Sequence, residues 1–159
     1  MHDDRKLFEM LLLESFQAGL SWESILNKRE NFRRAFDGFD PVKVASYGEE
    51  KMESLRQDAG IIRNRLKIRS AVGNAKVFLA IRKEWKTFDS YLWHWTEGRT
   101  IRETGQTSSP LSDAISKDLK KRGMKFVGTT IIYSYLQAVG VIDSHEEGCF
   151  KEKWLKGNA

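Results

Sequence analysis

Residues 121–130 read Lys-Arg-Gly-Met-Lys-Phe-Val-Gly-Thr-Thr, and this stretch decides the fold. Ahead of it, Ser109-Pro110 opens a helical pattern, with serine as N-cap and proline in the first turn, that continues to about residue 122. Gly123 ends that helix. A second apolar helix is expected from about Thr129 to about Val139, closed by Gly140. The stretch between them therefore reads as a glycine-turned hairpin joining two helices. Gly128 lets the backbone come close to a partner. The N–H groups of Thr129, Thr130 and Ile131 open a helix, and such a terminus binds phosphate. Lys117, Lys120, Lys121, Arg122 and Lys125 surround the turn, with only Asp118 opposing them. A basic run is often no more than a solvated helix face, and the hairpin alone is equally a packing device. Combined, the two favour contact with the phosphates of DNA, with Lys121, Lys125, Gly128, Thr129 and Thr130 as the candidate residues.

Working outward, the pattern is helical nearly throughout. Leu7, Phe8, Leu11, Leu12 and Phe16 recur at helical spacing, with Asp4 or Asp3 as cap and Gly19 as the end. Ser21 or Trp22 opens a second helix with Ile25, Leu26, Phe32 and Phe36 on its inner face. Asp40-Pro41 starts a short helix, and residues 49–57 form another after Gly48. Beyond Gly60, a longer helix draws its apolar side from Ile61, Ile62, Leu66, Ile68, Val72, Ala75, Phe78 and Leu79. Phe88, Leu92 and Trp95 mark a further helix, and residues 97–109 read as the longest loop. No alternating segment flanked by hairpin turns occurs, so strand content should be near zero. The expected architecture is a compact all-α fold of roughly seven or eight short helices in one domain, residues 1–159.

Composition bounds the function classes. Hydrophobic residues are 40% and charged residues 31% of the 159, ordinary for a soluble globular domain with a core. No apolar run approaches the roughly 18 residues of a membrane span. Met1-His2-Asp3-Asp4 is acidic where a secretory leader is basic. The single cysteine, Cys149, excludes an internal disulfide and suits a reducing compartment. The net charge of +5 favours a polyanionic partner only weakly. Arg63, Arg65, Lys67 and Arg69 make a second basic run, again with a solvated face as its plain reading. There is no P-loop, G-x-G-x-x-G or G-x-S-x-G.

Few residues are left to carry chemistry. Glu14 follows Met10-Leu11-Leu12-Leu13 and shares a helix face with Met10 and Leu11. A carboxylate in such surroundings either bridges neighbouring helices or receives a cationic or hydrogen-bonding ligand. Trp22, just past a glycine turn, is a stacking candidate as well as a core residue, and Gln17 joins it and Glu14 as a base-binding candidate. Leu20 is either core or an exposed wedge. His145 and Cys149 are spaced to share one zinc ion, but a four-coordinate structural site needs two more ligands, and only His2 and His94 remain among histidines.

Taken in order, Glu-Ser-Phe-Gln-Ala-Gly-Leu-Ser-Trp (residues 14–22), Asp-Ala-Gly-Ile-Ile-Arg (58–63), the stretch at 119–130 and His-Glu-Glu-Gly-Cys (145–149) resemble the DNA-3-methyladenine glycosylase I family. The resemblance covers almost the whole chain. It implies the all-α helix-hairpin-helix glycosylase fold and hydrolysis of the N-glycosidic bond of 3-methyladenine in double-stranded DNA. It also implies Glu14 as the pocket carboxylate, and as the group that would activate a water. Trp22 is then a pocket wall, Leu20 the wedge filling the gap in the duplex, and Gly128, Thr129 and Thr130 the phosphate contacts. The family also has a further segment before the position of Met1, whose Cys and His complete a zinc site with His145 and Cys149 and whose aromatics close the pocket. The chain is thus expected to be a shortened, impaired form with two of the zinc ligands. The alternative is a non-catalytic DNA-binding module that has lost a complete pocket. A bacterial cytoplasmic monomer, with no membrane association, is expected.

Overall fold

The computed structural model describes residues 1–17 and 21–144, with Trp22 followed through its backbone only. Helix α1 (Asp4–Gln17) is the axis of the molecule, with every residue from Leu7 to Phe16 buried. Such a helix, apolar nearly all round, is stable only when other helices enclose it. Asp3 caps it, its carboxylate accepting from the N–H groups of Arg5 (2.8 Å) and Lys6 (3.2 Å). Asp4, the other candidate cap, instead accepts the N–H groups of Phe88 and Asp89, each at 2.9 Å. It thereby closes the start of a distant helix. The expected end at Gly19 lies outside the described residues.

The second expected helix is two: α2 (Trp22–Asn27), capped by Ser21, and α3 (Arg29–Ala35). Lys28 bends the chain between them (φ −104°, ψ 3°). The bend turns α3 so that Phe32 is fully buried while Arg33 forks onto Glu9 of α1, with Nη2 3.0 Å from Oε2 and Nε 3.1 Å from Oε1. Arg29 Nε lies 3.6 Å from the same carboxylate. A nearly buried carboxylate is tolerated when guanidinium groups answer it in this way.

A 3-10 turn (Asp37–Phe39) leads to α4 (Pro41–Ala45), where the side chain of Asp40 accepts the N–H of Val42 as the Asp-Pro signal predicts. Helix α5 (Glu49–Arg56) follows, then the long α6 (Arg65–Trp85), capped by Asn64. Ile61 and Ile62 precede α6, and Leu66 faces solvent at 68% exposure rather than the core, because the buried stripe begins at Ile68. Helix α7 (Phe88–His94) starts at the Thr87 and Asp4 caps. Helices α8 (Pro110–Lys121) and α9 (Thr129–Ala138) complete nine α-helices among the described residues. Two short strands, β1 (Ile101–Arg102) and β2 (Ile142–Asp143), pair in parallel, Ile101 opposite Ile142. No helix among the described residues is long and apolar enough to cross a membrane.

Candidate functional site

The turn between α8 and α9 is built from its own residues and from a clamp on α6. The Gly123 N–H reaches Lys120 O and the Met124 N–H reaches Leu119 O, each at 3.0 Å, a Schellman closure of α8. Gly123 stands at φ +108°, which favours glycine, and Met124 is buried beneath it. Asn74 of α6, 1% exposed, grips the next peptide from both sides. Its Oδ1 accepts the Lys125 N–H and its Nδ2 donates to Lys125 O, both at 2.9 Å. Val127 is fully buried and its carbonyl accepts Ser116 Oγ at 2.7 Å. Gly128 then caps α9 with no side-chain bond.

The first internal bond of α9 runs from the Ile132 N–H to Gly128 O at 2.9 Å. The N–H groups of Thr129, Thr130 and Ile131 precede it and face outward at the positive end of the helix. Gly128 has an ordinary φ of −60°, and nothing lies within 4 Å of where a Cβ would stand. Its value is therefore the open space it leaves and not a special conformation. The hydroxyl of Thr129 is committed inward, donating to Asp113 Oδ1 at 2.6 Å and lying 2.7 Å from Ser112 Oγ. Thr129 thus offers a partner its backbone, while Thr130 is exposed.

Lys121 and Lys125 are exposed beside this terminus and make no ion pair among the described residues. Arg122 is instead engaged by acids of the protein itself. Its Nη1 donates to Glu84 at 2.8 Å and its Nε to Asp118 at 2.9 Å, and Tyr91 donates to the same Asp118 oxygen at 2.5 Å. The bond to Glu84, with that to Asp118, raises the guanidinium pKa against the opposing effect of burial.

Glu14 lies at the other end of the site, 0% exposed, with Met10, Leu11 and Leu13 equally enclosed on the same helix. Burial, then the charges of Asp4, Glu14 and Asp89, push the Tyr135 hydroxyl well above its usual value, so it stays protonated and donates to Leu7 O at 2.9 Å. Gln17, half-buried, is the last residue of α1. Trp22 holds the first position of α2. Leu20, His145 and Cys149 lie outside the described residues. Among the described residues no group of three or more His, Cys, Asp or Glu side chains could hold a metal ion.

One residue that the sequence reading left in a plain basic run connects the two ends. Lys67 of α6 donates Nζ to Phe16 O at the close of α1 (3.0 Å), and the same Nζ lies 5.9 Å from the centre of the Phe126 ring. A cation suits the carbonyl end of a helix, and burial lowers its pKa. Arg69, from the same run, is spent on Glu49 through a two-bond fork of 2.9 and 3.0 Å.

The family described as methyladenine glycosylase matches residues 1–152. The DNA-3-methyladenine glycosylase 1 of Escherichia coli K12 is 51% identical over 154 residues, covering 92% of this chain and 82% of that protein. The DNA-3-methyladenine glycosylase of Haemophilus influenzae Rd is 39% identical over 153 residues, covering 92% and 83%. Among solved structures, a crystal structure of 3-methyladenine DNA glycosylase I superposes with a TM-score of 0.88 at 47% identity, covering 94% of this chain and 86% of that one. Another, in complex with 3-methyladenine, has a TM-score of 0.89 at 33% identity, covering 95% and 84%. A chain with this hairpin, this buried acid and these relatives belongs to the methyladenine glycosylase family.

Proposed function

We propose that this chain excises 3-methyladenine from alkylated duplex DNA, hydrolysing the N-glycosidic bond to release the free base and leave an abasic site. The observation that carries the reading is the fully buried carboxylate of Glu14 on α1, a helix whose end Lys67 ties to Phe126 of the hairpin that leads into α9. Those N–H groups, with Lys121 and Lys125, take backbone phosphates and set the register without reading sequence. The target base leaves the stack, and Leu20 fills the gap. Methylation at N3 makes the base cationic. A desolvated carboxylate favours that cation over neutral adenine by much more than it would in water. Gln17 and Trp22 supply the remaining contacts to the ring. Because the cationic base is a good leaving group, its departure needs little protonation. Water then adds to the sugar carbon as the neutral base departs and loses a proton, for which Glu14 is the acceptor in this reading.

The test is release of free 3-methyladenine from methylated duplex DNA by the chain and by Glu14→Gln. Loss of a charge-assisted contact lowers the rate roughly 10- to 100-fold. No release by the wild-type chain, with DNA binding intact, would sink the proposal and favour the non-catalytic binding module. Family membership favours the hydrolase over that module. His145 and Cys149 are the proposed donors to a structural zinc, with an imidazole and a thiolate suited to that ion. No catalytic step runs through it. A monomer acting on chromosomal DNA in a bacterial cytoplasm completes the reading.

A further inference from the structure

The described surface leaves three large apolar side chains exposed, and two of them face one groove. Leu66, on the first turn of α6, is 68% exposed, and Phe126, at the tip of the hairpin, is 37% exposed. The groove between them has a volume of about 590 Å³, with Gly73, Asn74 and Lys125 along its floor and rim. Phe126 stands at φ +56°, a backbone region that strains a bulky side chain and that glycine would occupy freely. The strain is held by the flanking clamps, since Asn74 fixes the peptide before it and Ser116 fixes the carbonyl after it. A strained, exposed aromatic that its neighbours over-determine is a feature to explain by function.

The surroundings indicate the partner. A second hollow of about 490 Å³ is lined by Arg56, Gln57, Arg63 and Arg65, the last of which precedes Leu66 in the chain. Arg63 and Arg65 are exposed and make no ion pair among the described residues, while Arg56 is engaged by Glu53 and Arg65 also lies near Glu49. An apolar ledge flanked by the exposed cations Arg63 and Lys125 is a poor seat for a second copy of a chain that itself carries +5, and the centres of protein–protein interfaces are depleted in charge. It matches a polymer that alternates anionic phosphate with the apolar face of deoxyribose.

We infer that the DNA-binding surface continues from the hairpin on to the start of α6: Phe126 and Leu66 pack against the sugars of one strand, and Arg63 and Arg65 take its next phosphates. The inference rests on the DNA reading given above and extends its footprint. Lys67, cradling the Phe126 ring from behind, then holds the aromatic against both the strand and the pocket end of α1.

The experiment is equilibrium binding of undamaged duplex DNA across a salt series, with thermal unfolding of each variant alongside. Phe126→Gly and Leu66→Ser each weaken binding roughly three- to tenfold through lost apolar contact, with the salt slope unchanged. Phe126→Gly melts at the same temperature as the wild type or higher, because glycine relieves the strain. The double variant Arg63→Gln/Arg65→Gln lowers the slope of log affinity against log salt by about two. Unchanged affinity in both apolar variants, or an unchanged slope in the arginine pair, overturns the inference while leaving the glycosylase reading intact. A wild-type chain that binds no duplex overturns both. A wild-type dimer in sedimentation that Leu66→Ser dissociates would assign the patch to self-association and overturn it as well.

Discussion

The hairpin and the Glu14 end of α1, proposed to serve one ligand, are built by opposite means. Around the hairpin, the inward polar groups go into fixing the turn: Asn74 on Lys125, Ser116 on Val127, and Asp113 with Ser112 on Thr129. What is left outward is backbone N–H and lysine. At α1 the Glu14 carboxylate, the proposed base-recognition group, sits inside a run of buried residues that is also the core of the molecule. The outward groups of the hairpin can therefore be changed without touching the core, whereas Glu14 cannot.

Substitutions can break this contrast, beginning with the largest effect. Phe8→Ala, beneath Phe78 in the core, should cost about 3–5 kcal/mol in a denaturant titration, and unfolding should abolish recognition with it. Asn74→Ala leaves both polar groups of the Lys125 peptide without their partner, so we expect a loss of about 1–3 kcal/mol and weaker DNA binding in the same protein. A full loss of stability with DNA affinity unchanged would show that the hairpin does not need its clamp. Gly123→Ala, at φ +108°, should cost about 1 kcal/mol by chemical unfolding. Lys125→Gln should leave the melting temperature unchanged while lowering the salt slope of DNA binding by about one. A fall in stability there would blur the separation.

The smallest effect is one of pH. Burial alone would raise the Asp118 carboxyl, but hydrogen bonds from Tyr91 and Arg122, with the charges of Arg122 and Lys121, together hold it below its usual 3.8. A depressed carboxyl contributes stability that is fully present above its unfolded value and is lost as pH falls through the folded one. The contribution should be under about 1 kcal/mol for so exposed a group, present above about pH 4 and lost in more acid solution. Asp118→Asn should flatten that part of the acid unfolding curve.

The sequence is most informative where structure is local. Asp40-Pro41, Ser109-Pro110 and Gly123 punctuate helices through chemistry confined to a few residues, and the structure places their caps and turn as expected. The closure of the hairpin at Gly123 was legible for the same reason, but its clamp by Asn74, 51 residues away, was not. Long-range contacts were not. Asp4 looks like a cap for its own helix yet serves one more than eighty residues away, as the 84-residue separation of its bond to Phe88 records. The bend at Lys28 brings two arginines of α3 to Glu9 of α1, and no helical periodicity carries that information. Leu66 reads as core by spacing and is exposed. Lys67 sits in an unremarkable basic run, and only the packing of α6 between α1 and the hairpin gives it two partners at once. Glu14 among apolar neighbours was legible as a buried carboxylate, but the surroundings of that carboxylate depend on helices far apart in sequence.

The short parallel pair of β1 and β2 has a kinetic consequence. The Ile101 N–H donates to Val141 O at 2.8 Å and the Glu103 N–H to Asp143 O at 3.1 Å. These bonds fasten the chain just before α8 to the chain just after α9, so the two helices and their turn form a closed loop, stapled at its base. A loop pinned in this way does not fray from one end. It opens as a unit or stays shut. In amide hydrogen exchange, Ile101 and Glu103 should therefore lose protection together with Met124 and Lys125, and the DNA grip should act as one cooperative body.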